Sequence, residues 1–400
     1  MHGAKSWLEI SERRLRQNYA ALVRAGTLNG QNVSVLAVVK ARAYGHGADL
    51  CAPVLASAGA SWLGVTDVDE GLLVRRSLGH SLLRPADTPR LQPRILVMCG
   101  LLPDDVHKLV EHDLTPVVWS QDHLLWLSKS AQATATLPVH LEIDTGMSRQ
   151  GVSPGLALEA FLDRLSTCPG VSLEGILTHF ASAEVSGSLL TTLQQERFET
   201  ALHQIAAHGL RPAWIHAGNS SFLDEGLLLP WLQRIASGMS ARPMVRTGLA
   251  LYGYCLPLES APSALGGELA PVLSWKSRVI ALEDVSPGST IGYNATYTAP
   301  QKLRLALLPV GYADGLRREL SGSDTRSGGW VVVHGQRAPI LGRISMNLTT
   351  VDVTATPETL VGDEVTLLGE SSTAEDHARI AETIPYDVLC GLRAQAHLTP

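Results

Sequence analysis

Lys40 ends the apolar run Ser34-Val35-Leu36-Ala37-Val38-Val39 and opens the turn Ala41-Arg42-Ala43-Tyr44-Gly45-His46-Gly47. A primary amine at the mouth of a buried strand is a candidate Schiff-base former, because burial disfavours the ammonium and leaves a nucleophilic nitrogen suited to carbonyl and pyridoxal chemistry. The plain alternative is a lysine that leaves the strand and snorkels to water. Other polar residues stand at the ends of other apolar runs. Glu142, Asp144 and Arg149 lie in Leu141-Glu142-Ile143-Asp144-Thr145-Gly146-Met147-Ser148-Arg149, and His179 lies in Leu177-Thr178-His179-Phe180-Ala181. His216, Asn219 and Ser220 follow a seventh run, and Arg246 and Gly248 belong to an eighth. Each alone has an ordinary reading as a solvated strand end, a satisfied histidine or a helix cap. Ser220, Thr247, Gly248 and nearby amides would offer a phosphate cradle. An amine plus such a cradle suggests pyridoxal phosphate, and an aldolase acting on a sugar phosphate meets the same two facts.

Positioning these residues requires strands that end together. Short apolar runs recur at Val33 to Val39, Trp62 to Thr66, Arg94 to Met98, Pro116 to Trp119, Val139 to Ile143, Gly175 to His179, Trp214 to Ala217 and Met244 to Leu251. The spacing leaves room for helices between them, such as Leu189 to Ala207 with Gly209 as its C-cap. A first helix is expected to start at Ser11 and run through Leu15, Tyr19 and Leu22. Eight strand-helix units within roughly 250 residues predict a (β/α)8 barrel, functional at the carboxyl ends of its strands. A doubly wound open sheet is the second choice, although no G-x-G-x-x-G follows the first strand. From Pro257 to Gly267 the composition turns to Pro, Ser, Ala and Gly, and beyond it strand-like runs appear at Ser277 to Ala281, Leu303 to Val310, Trp330 to Val333, Thr349 to Val353 and Glu364 to Leu368. The expected organisation is a barrel over residues 1–257 and a smaller, mostly β domain over 268–400.

Composition narrows the class. With 400 residues, 45% hydrophobic and 18% charged, the chain can bury large cores, and two domains are the natural division. A net charge of −6 and the lack of a basic stripe argue against nucleic acid. The start shows no apolar leader and no stretch of ~18 apolar residues occurs, so a soluble, cytoplasmic protein without a membrane span is expected. The five cysteines show no C-x-x-C spacing, which fits free thiols and no metal site.

The stretch from Val38 to Gly47 resembles the pyridoxal-lysine motif of alanine racemases. Further segments resemble that family in order: Ile143 to Arg149, Thr178-His179-Phe180, His216 to Ser220, Arg246 to Gly253, Gly292 to Tyr297, Gly311 to Gly315, Gly342 to Asn347 and Ile384 to Asp387. The resemblance implies a fold-type III barrel plus β domain, a head-to-tail homodimer with shared active sites, and a role in supplying D-alanine for peptidoglycan. It implies that Lys40 holds pyridoxal 5'-phosphate and acts as one base, while Tyr293 of the partner subunit is the other. Racemisation removes a proton from one face of Cα and returns one to the other, so two flanking groups suit it. His216 is implied to bond that tyrosine. Arg246 is implied to face the pyridine nitrogen, and an always-charged arginine there keeps the nitrogen unprotonated, which disfavours transamination. Tyr44, Asn219, Ser220, Gly248, Leu249 and Tyr386 resemble cofactor-binding positions, and His179 one near the ring. Arg149 and the backbone of Met346 resemble contacts to the substrate carboxylate.

Some residues depart from the family pattern. Glu142 stands where many members carry a carbamylated lysine, and it is expected to orient Arg149 through a charge-assisted hydrogen bond. Arg42 stands for a common asparagine, Asn347 for an aspartate and Pro385 for an asparagine, and no Arg-x-Pro-Arg follows Leu392. The bulk of Tyr386 favours alanine over serine. A broader amino-acid racemase and a barrel-type decarboxylase are the alternatives, the latter needing a cysteine motif that Cys390 and its surroundings do not match. A carrier of pyridoxal phosphate would need no second base.

Overall fold

A computed structural model describes residues 5–27, 32–79, 92–130, 136–259, 263–265 and 267–400. After the first strand, β1 (Ser6–Ser11), eight strands close into a parallel barrel: β2 (Ser34–Val38), β3 (Trp62–Val65), β4 (Arg94–Val97), β5 (Leu114–Val118), β6 (Leu137–Glu142), β7 (Val171–Leu177), β8 (Trp214–His216) and β9 (Arg242–Thr247). Closure is made by β2 on β9, with Val35 opposite Val245 and Leu36 opposite Arg246. These strands are short, rich in Val, Leu and Ile, and covered on both faces, as a parallel sheet requires. The helix Leu189–Ala207 matches its expected span, and Ser188 caps it by accepting a hydrogen bond from the Thr191 amide. The eighth apolar run stops sooner than its composition suggests, because the chain turns at Gly248 into a 3-10 helix, Leu249–Tyr252.

The remaining strands are β10 (Leu273–Arg278), β11 (Ala281–Val285), β12 (Thr290–Ile291), β13 (Tyr297–Thr298), β14 (Leu303–Leu308), β15 (Trp330–Val333), β16 (Gln336–Pro339), β17 (Thr349–Asp352), β18 (Glu364–Leu368) and β19 (Ala396–Thr399). They form a six-stranded sheet in the order β16-β15-β18-β10-β1-β19, a three-stranded sheet β11-β14-β17 and a small hairpin of β12 and β13. Ile291, Ala299, Leu303, Leu305 and Leu341 make a core cluster within this unit. The first strand therefore belongs with the last ones: Leu8 pairs with Trp275 across β10, and Ile10 with Leu398 across β19. Ser11 ends that strand, and the helix begins at Glu12, with the Arg14 amide donating to the Ser11 hydroxyl at 3.3 Å.

By contacts the chain forms two compact units, one of residues 15–43 and 48–270, the other of 1–14, 44–47 and 271–400. The expectation of a barrel running from residue 1 to 257 did not anticipate either transfer. Among the described residues no helix is long and apolar enough to cross a membrane.

Candidate active site

Lys40 stands two residues past the end of β2, half-buried. The four residues after it all have left-handed backbone, with φ of 51° at Ala41, 56° at Arg42, 53° at Ala43 and 54° at Tyr44. Such a turn costs roughly 1–2 kcal/mol per residue for L-amino acids, so neighbouring bonds must hold it. Glu70, at the start of the helix Val68–Gly79, accepts from the Ala41 amide at 2.7 Å and from the Thr66 amide at 2.8 Å. The Ala43 amide donates to the Val39 carbonyl at 2.8 Å, and the Tyr252 hydroxyl donates to the Val38 carbonyl at 3.0 Å. The amine is thus mounted on a strained turn fixed from three sides.

Arg246 on β9 is buried and donates to the Thr178 carbonyl at 2.8 Å, the His216 carbonyl at 3.2 Å and His179 Nδ1 at 3.1 Å. Burial lowers its pKa to about 10, which leaves it cationic near neutrality. Burial, together with the charges of Arg246, Arg149 and Lys40, pushes His179 down to about 3, so its imidazole is neutral. An arginine can only donate, so His179 accepts on Nδ1 and carries its proton on Nε2.

His216 does not meet its expected role beside a tyrosine. Its ring is fully buried in the barrel, with Nε2 2.8 Å from His140 Nδ1 and Nδ1 3.4 Å from an Arg246 nitrogen. Both ring nitrogens are engaged internally, and burial holds the ring neutral. Beyond it, His140 Nε2 lies 3.4 Å from a carboxylate oxygen of Glu174, which also pairs with Arg94. Arg246 only donates, so His216 accepts on Nδ1 and donates from Nε2 to His140 Nδ1; this leaves the His140 proton on Nε2, which faces Glu174 without a hydrogen bond. His140 lies over Gly175, where any Cβ would come within 2.5 Å of its ring.

Glu142 does not make the expected bond to Arg149. It is buried at the end of β6, and the bond it accepts comes from the Gln150 side-chain amide, not from Arg149. Arg149 is exposed and acts on it, as Arg246 does, through charge. Asp144 shapes the intervening turn by accepting from the amides of Gly146, Met147 and Ser148 at 2.9, 3.0 and 3.1 Å.

At the ends of β8 and β9 the Ser220 hydroxyl accepts from the amides of Gly248 and Ala250, both at 3.2 Å. Two amides already aimed at one oxygen are the donor set that an anion takes. Thr247 Oγ1 nearby in sequence is buried with no partner among the described residues. Asn219 caps the helix Ser220–Glu225 through its side chain, accepting from Phe222 N at 3.1 Å. Leu249 is buried at the head of the 3-10 helix.

In the other unit, Tyr44 and Tyr386 pack with ring centroids 5.8 Å apart, and burial pushes the Tyr44 phenol well above its usual range. Gly45, at φ 84°, lies so close to the Leu389 carbonyl that no Cβ fits. Tyr293 is 67% exposed beside a concavity of about 620 Å³ lined also by Asn294, Tyr312, Arg318, Arg343 and Met346.

Glu70, His140, Gln150 and Glu174 were not picked out from sequence. The signal for His140 was available: it alternates with Glu142 on a barrel strand, which turns both polar side chains to the same face.

A lysine on a constrained turn, a buried cationic arginine among neutral imidazoles and an amide cluster at adjoining strand ends define, as a class, a barrel enzyme of amine chemistry. Residues 10–256 match the family described as alanine racemase, N-terminal domain, and residues 272–399 match alanine racemase, C-terminal domain. The chain belongs to the alanine racemase family, and it is an amino-acid isomerase that interconverts L- and D-alanine. It is 37% identical over 394 residues to the alanine racemase of Syntrophobacter fumaroxidans, covering 97% of this chain and 96% of that protein. The crystal structure of alanine racemase from D-cycloserine-producing Streptomyces lavendulae is 29% identical with a TM-score of 0.85, covering 100% of this chain and 98% of that one. A Bartonella henselae alanine racemase crystallised with covalently bound pyridoxal phosphate shares the fold, with a TM-score of 0.79 at 24% identity over 99% of this chain and all of that one. The aldolase and decarboxylase alternatives fall with these matches.

Proposed function

We propose that the enzyme racemises alanine with pyridoxal 5'-phosphate held on Lys40, as a cytoplasmic homodimer in which Tyr293 of the partner subunit supplies the second base. The observation that carries this reading is the Ser220 cluster, where the Gly248 and Ala250 amides converge on one oxygen in the same barrel as Lys40 and Arg246. When bound, the cofactor supplies an electron sink for the pair left at Cα. Ser220 with the amides of Gly248 and Leu249, and Tyr44 with Tyr386, would hold the phosphate. Arg246, kept in place by the carbonyls of Thr178 and His216, would face the ring nitrogen as a donor that yields no proton. Arg149 and the Met346 backbone would bind the substrate carboxylate, and Lys40 Nζ and the Tyr293 hydroxyl would exchange the proton on opposite faces. Asn219 serves this site through the helix it caps. The D-alanine formed would supply peptidoglycan.

Borohydride reduction followed by peptide mass spectrometry tests the anchor: a pyridoxyl adduct is expected on Lys40, and an adduct elsewhere overturns the assignment. In D2O, L-alanine should lose chirality as it gains deuterium. Tyr293→Phe should slow that exchange by about 10²–10⁴-fold, the range typical for loss of a general acid-base group. Turnover of serine equal to that of alanine would overturn the substrate preference.

A further inference from the structure

Gln150 follows the turn that Asp144 shapes, and its side-chain nitrogen serves two acceptors. One hydrogen goes to the Met98 carbonyl at 3.0 Å, just past β4, and the other to Glu142 Oε2 at the end of β6. Because the Met98 carbonyl can only accept, the amide is oriented with its NH2 inward, and the Glu142 oxygen it faces must accept too. An amide with both hydrogens engaged across two strand ends is a rigid fork. It fixes one carboxylate oxygen in place, while Arg246 on β9 and Arg149 beyond β6 supply positive charge, Asp144 supplies negative charge and the Cys99 thiol stands after β4.

We infer that Gln150 is a positioning residue: its fork between the Met98 carbonyl and Glu142 Oε2 keeps the Glu142 carboxylate aimed so that its charge orders Arg149 and Arg246, and through Arg149 the substrate carboxylate. This deepens the racemase reading and rests on it. The competing influences on Glu142 make the role specific. Burial raises its pKa, and the Gln150 bond is the largest influence opposing that rise, ahead of Arg246 and Arg149. A glutamate here needs no added group to become an anion, but in a dry strand end it needs a donor. Gln150 is that donor.

The test reads Glu142 itself. In the purified full-length enzyme with its cofactor, the carboxyl stretch of protonated Glu142 is identified by infrared difference against Glu142→Gln and titrated with pH. Gln150→Leu, which keeps bulk and removes both donors, is expected to move the midpoint up by about one to two pH units, as loss of a hydrogen bond to a charged group implies. Gln150→Lys, which adds a donor and a charge, is expected to move it down. The KM for L-alanine should rise about tenfold in Gln150→Leu with kcat changed far less, since ordering of Arg149 is a binding effect. A midpoint unmoved in Gln150→Leu overturns the inference. If that variant does not fold, a midpoint that fails to fall in Gln150→Lys overturns it. Absence of alanine racemisation in the wild type would sink the racemase reading separately, because the midpoints are read without turnover.

Discussion

Lys40 is held where its surroundings keep imidazoles neutral and an arginine charged, and this division of protonation is the residue-scale basis of the site. His179, His216 and His140 are all pushed below the ordinary histidine range, in each case by burial first. His377, in the helix Ala374–Ala381, is likewise lowered to about 4. A histidine whose folded pKa is depressed takes up a proton in the unfolded chain before it does so in the folded one. Its contribution to stability is therefore fully present above the unfolded pKa near 6.5 and is lost as pH falls towards the folded value. Glu142 works the other way, because its raised pKa is a penalty that disappears on acidification. Burial also lowers His123 and raises Glu375, so with five histidines against two carboxyls among the described residues, denaturant melts should show stability falling from about pH 6.5 towards 5, on the order of 1 kcal/mol per pH unit for each histidine. A flat profile over that range would show that the imidazoles are not buried as described. Lys40 and His179 were legible in the sequence because each ends an apolar run, and Arg246 because it interrupts one. Gln150 and Glu70 were not, since each acts through a bond to a residue that sequence spacing does not pair with it.

At the scale of elements, the barrel strands do more than present their last residues. Down the interior, β6 carries His140 two positions before Glu142, and β7 gives up a side chain at Gly175 so that the imidazole can lie across it. The barrel was readable because eight short β-branched runs with helical spacers leave few other architectures. The polar line through it was hidden by distance: Glu174, His140, His216 and Arg246 sit on four strands and come together only on closure. Gly175→Ala isolates that line. A Cβ would meet the His140 ring at 2.5 Å, so the ring must tilt and loosen its bond to His216. A buried donor left unsatisfied costs about 1–3 kcal/mol, and a thermal melt should show a loss of that size. Activity should fall further than stability explains, because Arg246 loses its ordered acceptor. His140→Leu, which removes the crowded ring, should make Gly175→Ala nearly neutral in the double variant, and additivity of the two would refute the coupling.

For the whole molecule, the division of the chain carries the argument. Strand β1 and the segment Tyr44–Gly47 belong to the β unit although they flank or interrupt the barrel sequence. Sequence spacing could not show this, because a six-residue strand such as β1 looks the same whichever sheet it joins. The β unit also presents Tyr293, Tyr312 and Met346 to solvent around one concavity, the kind of exposed aromatic and apolar surface that another molecule can cover. If the covering molecule is a second copy, each active site combines the Lys40 of one protomer with the Tyr293 of the other, and a C2 dimer holds two such sites. Lys40→Ala and Tyr293→Phe should then each be inactive alone yet complement one another. In an equal mixture refolded together, half of the dimers are mixed, and each mixed dimer has one site with both lesions and one with neither. Activity should therefore recover to about one quarter of wild type, a ratio fixed by the symmetry alone. Were Lys40 and Tyr293 to act within one chain, every site would keep one lesion and mixing would restore nothing.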